Sequence, residues 1–261
     1  VSAVLLAVGL GLLVPAFTGM VVVAGRNIAQ PHIISDYTWG IVWAALLTFS
    51  LVLWPVSQRD RLLLVAVWLL KAGVALGPMM FYEMSYTVLD AYWYYDHAIA
   101  SRAVGAEFGL GLGLENTLSM VFLLGKLVGP SYHALKIAFS FIGLAGIYAF
   151  YRAAVIVTGR EDARVFLGIA LFPSILFWSS ILGKDPIALF GMGVYAYGVC
   201  AWQRRASHRY LAVVAAGIIV SAGIRLWFAP LLMVPLLWLT LRAQTGAIRR
   251  LAILSAVARS R

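Results

Sequence analysis

Long apolar runs separated by short polar turns dominate the chain. Most of these runs approach or reach the roughly 18 to 20 residues that cross a bilayer as a helix. They lie near residues 2–24, 39–56, 62–80, 133–151, 164–182, 186–202, 209–224 and 226–242, with a partial run from 247. Alternating strands with a polar inward face, as in membrane barrels, are absent from the pattern. The sequence therefore predicts an all-α, polytopic transmembrane helical bundle, with residues 1–261 forming one domain of about eight or nine spans.

Composition strengthens this prediction and excludes other classes. Of the 261 residues, 63% are hydrophobic and 11% are charged, and the mean hydropathy is +0.93, far outside the range of soluble domains. The single cysteine, Cys200, lies in an apolar run, which excludes a disulfide within the chain and a cysteine-based metal site. The first run lacks a basic start and a cleavage site, so we expect a retained span. Both ends fall in or beside apolar runs, which is typical of a fragment of a longer protein.

The net charge of +10 follows the positive-inside pattern and does not indicate a nucleic-acid partner. Basic turns at 57–61, 152–164 and 204–209 should face the cytoplasm, whereas 81–115 holds five acids against Arg102 and should face outward. These loops fall on the expected sides of the membrane only if the apolar segment 116–130 does not cross the bilayer. The sequence thus predicts an external loop of about 81–132 with one or two helices along the membrane surface, and it places the turns at Lys184 and Arg225 on the same side.

The external loop contains the densest cluster of ionisable and aromatic residues, between 81 and 102. Two explanations compete for this cluster: a water-facing loop with an aromatic interfacial belt, and a reaction site held at the membrane surface. If 83–100 is helical, Asp90, Tyr94 and His97 fall within about 60 degrees of one another, and Asp96 lies about 120 degrees from Asp90. Asp90 is then the better placed acid, with Tyr94 and His97 able to orient it.

Two further polar spots lie between apolar runs on the same predicted side. Asp185 precedes Pro186 and suits a helix N-cap followed by proline. Lys184 could bind a phosphate as a point charge or extend its ammonium group to lipid headgroups. Arg225 has a planar fork of donors that suits phosphate oxygens, and lipid headgroup contact is its alternative role. The histidines are scattered, so no metal triad follows from their spacing.

The order of these motifs resembles a known family. Asp90-Ala-Tyr-Trp-Tyr94-Tyr-Asp-His-Ala98 fits the pattern D-x-x-x-Y-x-x-x-A; the segment 171–185 ends in Gly-Lys184-Asp185; and Arg225-Leu-Trp227 places an arginine next to an aromatic residue. Over roughly residues 60–240 the chain resembles the polytopic glycosyltransferases of the GT-C superfamily, which includes dolichyl-phosphate-mannose and undecaprenyl-phosphate-sugar transferases. It departs from them in having more than one span before the external loop and Ala91 where a second acid is common.

The resemblance implies transfer of a sugar from a polyprenyl-phosphate carrier to an acceptor, at an outward-facing site in a bacterial plasma membrane. Asp90 would be the general base, or Asp96 if the motif is shifted, and Lys184 and Arg225 would hold the phosphate. The remaining candidate substrate-binding residues are Tyr94, His97, Arg102 and Asp185. Some members use a divalent metal at the phosphate and others do not, so no cofactor is certain and Mg²⁺ or Mn²⁺ stays open.

Two other functions fit the same residues. One is a non-catalytic membrane subunit or flippase-like protein whose cations recognise lipid phosphate without chemistry. The other is a polysaccharide polymerase or ligase, which would share the lipid-phosphate site and differ in its acceptor. Membrane lipids and further membrane subunits are the other expected partners. All three functions require Asp90, Lys184 and Arg225 to line one cavity, and this is the geometric expectation that a structure can examine.

Overall fold

A computed structural model describes residues 2–100, 106–205 and 207–238, and all regular structure in these residues is helical. The helices share one feature, which is that each begins or ends at a polar, glycine or proline turn. They are α1 (Ser2–Ala24), α2 (Ile33–Val52), α3 (Gln58–Leu76), α4 (Pro78–Met84), α5 (Asp90–Tyr95), a π-helical turn (Asp96–Ala100), α6 (Gly113–Val128), α7 (Tyr132–Thr158), α8 (Ala163–Ala170), α9 (Pro173–Trp178), α10 (Lys184–Arg205), α11 (Arg209–Ile224) and α12 (Phe228–Trp238).

Three helical segments in the described part of the chain are long and apolar enough to cross a membrane. They are Ile33–Val52, Gln58–Met84, which combines α3 and α4, and Tyr132–Thr158. Length and composition of this kind are typical of membrane proteins. α11 and α12 are apolar but shorter. The described residues are therefore all-helical with three candidate membrane spans, and the larger number of spans stays a prediction.

Helix α7 lies at the centre of the packing and contacts α2, α3, α6, α8 and α10. Small residues allow the closest of these approaches. A Cβ atom on Gly146 of α7 would lie 2.7 Å from backbone atoms of Phe190 on α10, and one on Gly193 of α10 would lie 2.3 Å from the Gly146 carbonyl oxygen. Gly198 and Gly217 play the same part between α10 and α11. Glycine at helix crossings is the usual route to close packing of apolar helices, where van der Waals contact drives association.

The apolar run at 164–182 does not form one helix, as its length suggested. It divides into α8, which ends at Ala170, and α9, which begins at Pro173, and the turn 179–183 then leads into α10. Proline lacks a backbone N–H, and it disfavours helical geometry in the residue before it. Phe172 accordingly has φ −59° and ψ 120°, outside the helical region.

The segment 83–100 is also interrupted. α4 ends at Met84, where the Ser85 hydroxyl donates to the Phe81 carbonyl oxygen at 2.8 Å, and α5 begins only at Asp90. Residues 83–100 therefore do not form the single continuous helix on which the predicted grouping of Asp90, Tyr94 and His97 depended. Asp90 and Tyr94 still share one helix, but Asp96 and His97 belong to the wider π-helical turn that follows.

Candidate functional site

A polar cavity of about 350 Å³ lies where three separate segments meet. The segments are the loop and helix around α5, the turn before α10, and the end of α11. Five of the predicted site residues line it: Asp90, Tyr94, Lys184, Asp185 and Arg225. The other residues at its wall are Tyr82, Tyr86, Val88, Leu89, Ala91, Trp178, Ile181, Leu182 and Gly183. The structure thus brings Asp90, Lys184 and Arg225 to one cavity, as the loop assignments led us to expect.

Helix α5 presents Asp90 and Tyr94 on the same face, since residues four apart in a helix are neighbours. Asp90 is exposed and occupies the first turn, where a negative charge is favourable. Tyr94 is 2% exposed. Burial raises the pKa of Tyr94 to about 12, and the nearby carboxylates of Asp90 and Asp185 add to the shift. The Tyr94 hydroxyl therefore stays protonated at neutral pH and can donate a hydrogen bond into the cavity.

Lys184 and Asp185 open helix α10. The Lys184 ammonium lies 5.9 Å from the centroid of the Tyr94 ring, within reach of a cation–π attraction. Asp185 was expected to be an N-cap, but it lies inside the first turn of α10, where it pairs with Arg225. Burial raises the pKa of Asp185, and the repulsion from Asp90 adds to this, against the opposing effects of Arg225 and Lys184. Its carboxylate is therefore held near two cations and one other acid.

Arg225 follows the last residue of α11, and its backbone is extended with φ −144° and ψ 107°. Its N–H donates to the Ser221 carbonyl oxygen at 2.9 Å and closes the helix. Its guanidinium group donates from Nη2 to Asp185 Oδ1 at 3.3 Å. This leaves other donors of the planar fork available to a ligand, since arginine carries five.

A second cavity, of about 410 Å³, adjoins the first. The two cavities share Trp178, Asp185 and Arg225. The rest of the second wall is mainly apolar and consists of Ser174, Ile175, Ser179, Ala188, Leu189, Met192 and Phe228. Arg225 and Asp185 therefore lie at the junction of a polar cavity and an apolar one. Such a pair of cavities suits a ligand with a charged group and an apolar chain.

Two predicted residues, Asp96 and His97, do not join this arrangement. The His97 ring stacks on Trp93 at 3.9 Å between centroids, and its Nδ1 lies 3.0 Å from the Trp93 carbonyl oxygen and 3.8 Å from Asp96 Oδ2. His97 and Asp96 are thus together in the π-helical turn and are not at the wall of the cavity. Arg102 lies outside the described residues.

A buried ion pair lies beneath α5, and sequence reasoning missed it. Lys136 of α7 donates to Glu83 Oε2 at 2.7 Å, and the Tyr132 hydroxyl donates to Glu83 Oε1 at 2.7 Å. The Tyr132 ring contacts the rings of Tyr92 and Tyr95 on α5, at 5.6 Å between centroids in each case. This group supports the helix that carries Asp90. The available signal was Lys136 itself, an ionisable residue inside an apolar run, which requires a partner.

Asp36 of α2 forms a second buried pair at the start of α7. Its carboxylate accepts hydrogen bonds from the backbone N–H groups of Tyr132, at 2.8 Å, and His133, at 3.2 Å, and it contacts the His133 ring at Nδ1. A carboxylate at a helix N-terminus satisfies unpaired N–H groups and the positive end of the helix dipole. Asp36 therefore fixes α2 to the first turn of α7, next to Tyr132.

A divalent metal was left open by the sequence. Within residues 2–100, 106–205 and 207–238, no three His, Cys, Asp or Glu side chains are grouped so that they could hold a metal ion. Asp90 and Asp185 are the two carboxylates at the cavity wall. Mg²⁺ often binds through one or two carboxylates together with substrate phosphate, so these two residues are the ones that could hold it. The metal stays a prediction.

The fold and the cavity together define a class: a protein whose described residues are helical, with candidate membrane spans and a cavity that combines two acids and two cations beside an apolar pocket. Comparisons of the chain with families of proteins, with curated proteins and with solved structures find no match. The resemblance to the GT-C superfamily therefore rests only on the short motifs around Asp90, Lys184 and Arg225 and stays a prediction.

Proposed function

We propose that the protein is a membrane glycosyltransferase that moves a sugar from a polyprenyl-phosphate carrier to an acceptor hydroxyl on the non-cytoplasmic face of a bacterial plasma membrane. One observation carries the proposal: Asp90, Lys184 and Arg225, from three distant parts of the sequence, line one cavity. A sugar phosphate requires this combination, because the acceptor loses a proton while the leaving phosphate gains negative charge.

The reaction would be a displacement at the anomeric carbon. The acceptor oxygen forms a bond to this carbon while its proton passes to the Asp90 carboxylate. The bond between the anomeric carbon and the phosphate oxygen breaks, and the polyprenyl phosphate leaves with the electron pair, which inverts the configuration of the sugar. Fixed cations at the leaving oxygen stabilise the charge that develops in the transition state. Lys184 and Arg225 fill this role, and Tyr94 is positioned to donate a hydrogen bond to the sugar or the phosphate.

The adjoining cavity supports a lipid-linked donor. Ile175, Leu189, Met192 and Phe228 give it apolar walls, and Arg225 lies at its junction with the polar cavity. A prenyl chain in the apolar cavity would place its phosphate next to the Arg225 guanidinium. The sugar would then extend toward Asp90. Burial of each methylene group contributes about 0.8 kcal/mol, so the chain would supply much of the binding free energy.

The proposal is tested by donor consumption. The purified protein in lipid nanodiscs is incubated with polyprenyl-phosphate hexoses and pentoses and with an envelope extract as the source of acceptors, and the release of polyprenyl phosphate is measured by mass spectrometry. We expect the wild type to consume at least one donor, and D90N to lose turnover by about 100-fold or more, the usual contribution of a general base.

D162N is the matched control for this experiment. Asp162 caps α8 because its carboxylate accepts a hydrogen bond from the Arg164 backbone N–H at 2.9 Å, and asparagine is an equally good cap. D162N should therefore behave as the wild type. If the wild type and D90N bind the lipid with the same affinity and neither consumes any donor, the protein is a non-catalytic binder of lipid phosphate and the proposal is wrong.

A further inference from the structure

Lys71 is a buried cation that the reaction described above does not use. It lies on α3 and its side chain is fully buried, at 0% exposure. The ammonium group donates to the Ser179 carbonyl oxygen at 3.0 Å, to the Ser179 hydroxyl at 2.5 Å and to the Ser180 hydroxyl at 3.1 Å. All three of its N–H groups are thus satisfied, and all three acceptors are neutral.

These hydrogen bonds do not balance the positive charge of Lys71, because their acceptors are neutral. No ion pair joins it to a carboxylate in the described ranges, whereas Lys136, equally buried on α7, is paired with Glu83 at 2.7 Å. Hydrogen bonds to neutral oxygens satisfy the geometry of a buried ammonium group but leave its charge uncompensated, and a buried charge is costly unless an opposite charge is near. An anion close to Lys71 would remove this imbalance.

The residues that hold Lys71 form part of the candidate site. Ser179 lies at the wall of the apolar cavity, together with Arg225 and Asp185. The turn that starts at Ser179 continues through Ile181, Leu182 and Gly183, which line the polar cavity, to Lys184. Lys71 therefore lies behind the part of the apolar cavity's wall that Ser179 forms, next in sequence to Trp178, which both cavities share. The Ser179 and Ser180 hydroxyls in turn donate to the Ile175 and Leu176 carbonyl oxygens, at 2.5 and 2.7 Å, so their oxygens are oriented toward Lys71.

We propose that Lys71 is a third cation of the phosphate site, which acts through the Ser179–Ser180 turn and gives the site its preference for a charged lipid phosphate over a neutral lipid. The inference rests on the proposed function, because it assumes that a lipid phosphate occupies the junction of the two cavities. Lys71 is a positioning residue in this scheme: it touches the turn and not the ligand. Its positive charge attracts the phosphate across a low-dielectric wall, where charges interact more strongly than in water.

The experiment measures the dissociation constants of farnesyl phosphate and farnesol for the full chain in nanodiscs. The ratio of the two constants isolates the contribution of the phosphate, because both ligands share the same chain. We expect the wild type to prefer the phosphate, and K71M to reduce this preference by about tenfold or more, which corresponds to about 1.4 kcal/mol. K71R should keep most of it, because arginine retains the charge.

K126M is the matched control, since Lys126 is an exposed lysine of α6 that lies over the Phe122 ring and outside both cavities. It should keep the wild-type preference. A second readout is thermal stability without ligand. K71M should unfold at the same or a higher temperature than the wild type, because it removes an uncompensated buried charge, whereas a purely structural lysine would lower the unfolding temperature when replaced.

The outcomes separate the inference from the proposed function. If the wild type binds both ligands equally, no phosphate site exists, and the proposed function fails together with the inference. If the wild type prefers the phosphate but K71M keeps that preference, or weakens both ligands to the same extent, only the inference about Lys71 is overturned. If K71M unfolds at a lower temperature than the wild type or does not fold, Lys71 is a structural residue and the inference is overturned. K71R must also fold and keep the preference for the inference to stand.

Discussion

Arg225 Nη2 lies 3.3 Å from Asp185 Oδ1, and this ion pair joins the end of α11 to the start of α10. Both side chains are partly exposed, at 42% for Arg225 and 45% for Asp185. Exposed ion pairs contribute roughly 0 to 1 kcal/mol to stability, so a phosphate can take the place of the carboxylate at Arg225 with little loss. The pair holds the guanidinium group at the junction of the two cavities.

Asp185→Asn should make the protein more stable near pH 7. Burial raises the pKa of Asp185, so its neutral form is favoured in the folded protein. The stabilisation from this group is present below the ordinary pKa of 3.8, and it is lost as the pH rises through the raised value in the folded state. D185N, which is always neutral, should therefore unfold at a higher temperature than the wild type at pH 7, and the difference should close as the pH falls below 3.8.

Thermal unfolding of both proteins over this pH range gives the test, and D162N controls for the loss of one negative charge elsewhere. A D185N protein that unfolds at a lower temperature than the wild type at pH 7 would show that the ion pair with Arg225 outweighs the cost of burying the carboxylate.

We expect opposite results for catalysis when Asp90 and Asp96 are replaced. Asp90 lies at the wall of the cavity, whereas Asp96 lies in the π-helical turn beside His97. D90N should lower kcat by about 100-fold or more without weakening donor binding, because it removes a base and leaves the cations in place. D96N should retain kcat within a factor of a few. Single-turnover kinetics and donor binding distinguish these effects. If kcat falls further in D96N than in D90N, Asp96 is the base. The D-x-x-x-Y-x-x-x-A motif would then be misplaced by six positions.

Much of the helical architecture follows from the apolar pattern. The runs at 2–24, 186–202 and 209–224 lie within α1, α10 and α11, because each is bounded by charged or glycine-containing turns. The run at 164–182 does not lie within one helix, because Pro173 disfavours helical geometry in the residue before it. The apolar pattern alone does not reveal this effect. The π-helical turn at 96–100 has no sequence signal of its own.

The candidate site was predictable only in part. Asp90 could be selected from the acidic and aromatic cluster of the external loop, and Lys184 and Arg225 because basic residues are uncommon on the predicted outer side. The structure brings all three to one cavity, while their roles stay predictions. The pairing of Glu83 with Lys136 could not be foreseen. It depends on how α4 packs against α7, and no local pattern in either helix specifies a partner so distant in the sequence.

Glu83→Gln should strongly destabilise the protein. Glu83 and Lys136 are buried, with side-chain exposures of 2% and 0%, so the substitution leaves a buried ammonium group without its anion. Breaking a buried pair by removing one partner costs about 3 to 5 kcal/mol. The double variant E83Q/K136M removes both charges and should lose less stability than E83Q alone. Denaturant unfolding in detergent measures both, together with K136M alone. A loss in the double variant equal to the sum of the losses in E83Q and K136M would show that the two charges are not coupled.

Gly146→Ala should weaken the contact between α7 and α10. A Cβ atom at this position would lie 2.7 Å from the backbone N and Cα of Phe190 and 2.8 Å from the Leu189 carbonyl carbon. Backbone atoms cannot rotate away as a side chain can, so the two helices must separate. Overpacking of this kind typically costs about 1 to 3 kcal/mol. Because α10 begins with Lys184 and Asp185, its displacement should also weaken donor binding.

Gly168→Ala is the matched control. Gly168 lies inside α8, and a Cβ atom there would meet nothing within 4 Å. Alanine is favoured over glycine in a helix by roughly 0.8 to 1 kcal/mol, so G168A should keep or raise the unfolding temperature, whereas G146A should lower it. Equal unfolding temperatures and donor affinities in the two variants would contradict the close approach of α7 and α10, since the same added methyl group would then have no effect at the helix contact. A loss of affinity confined to G146A would instead connect that contact to the position of Lys184 at the cavity.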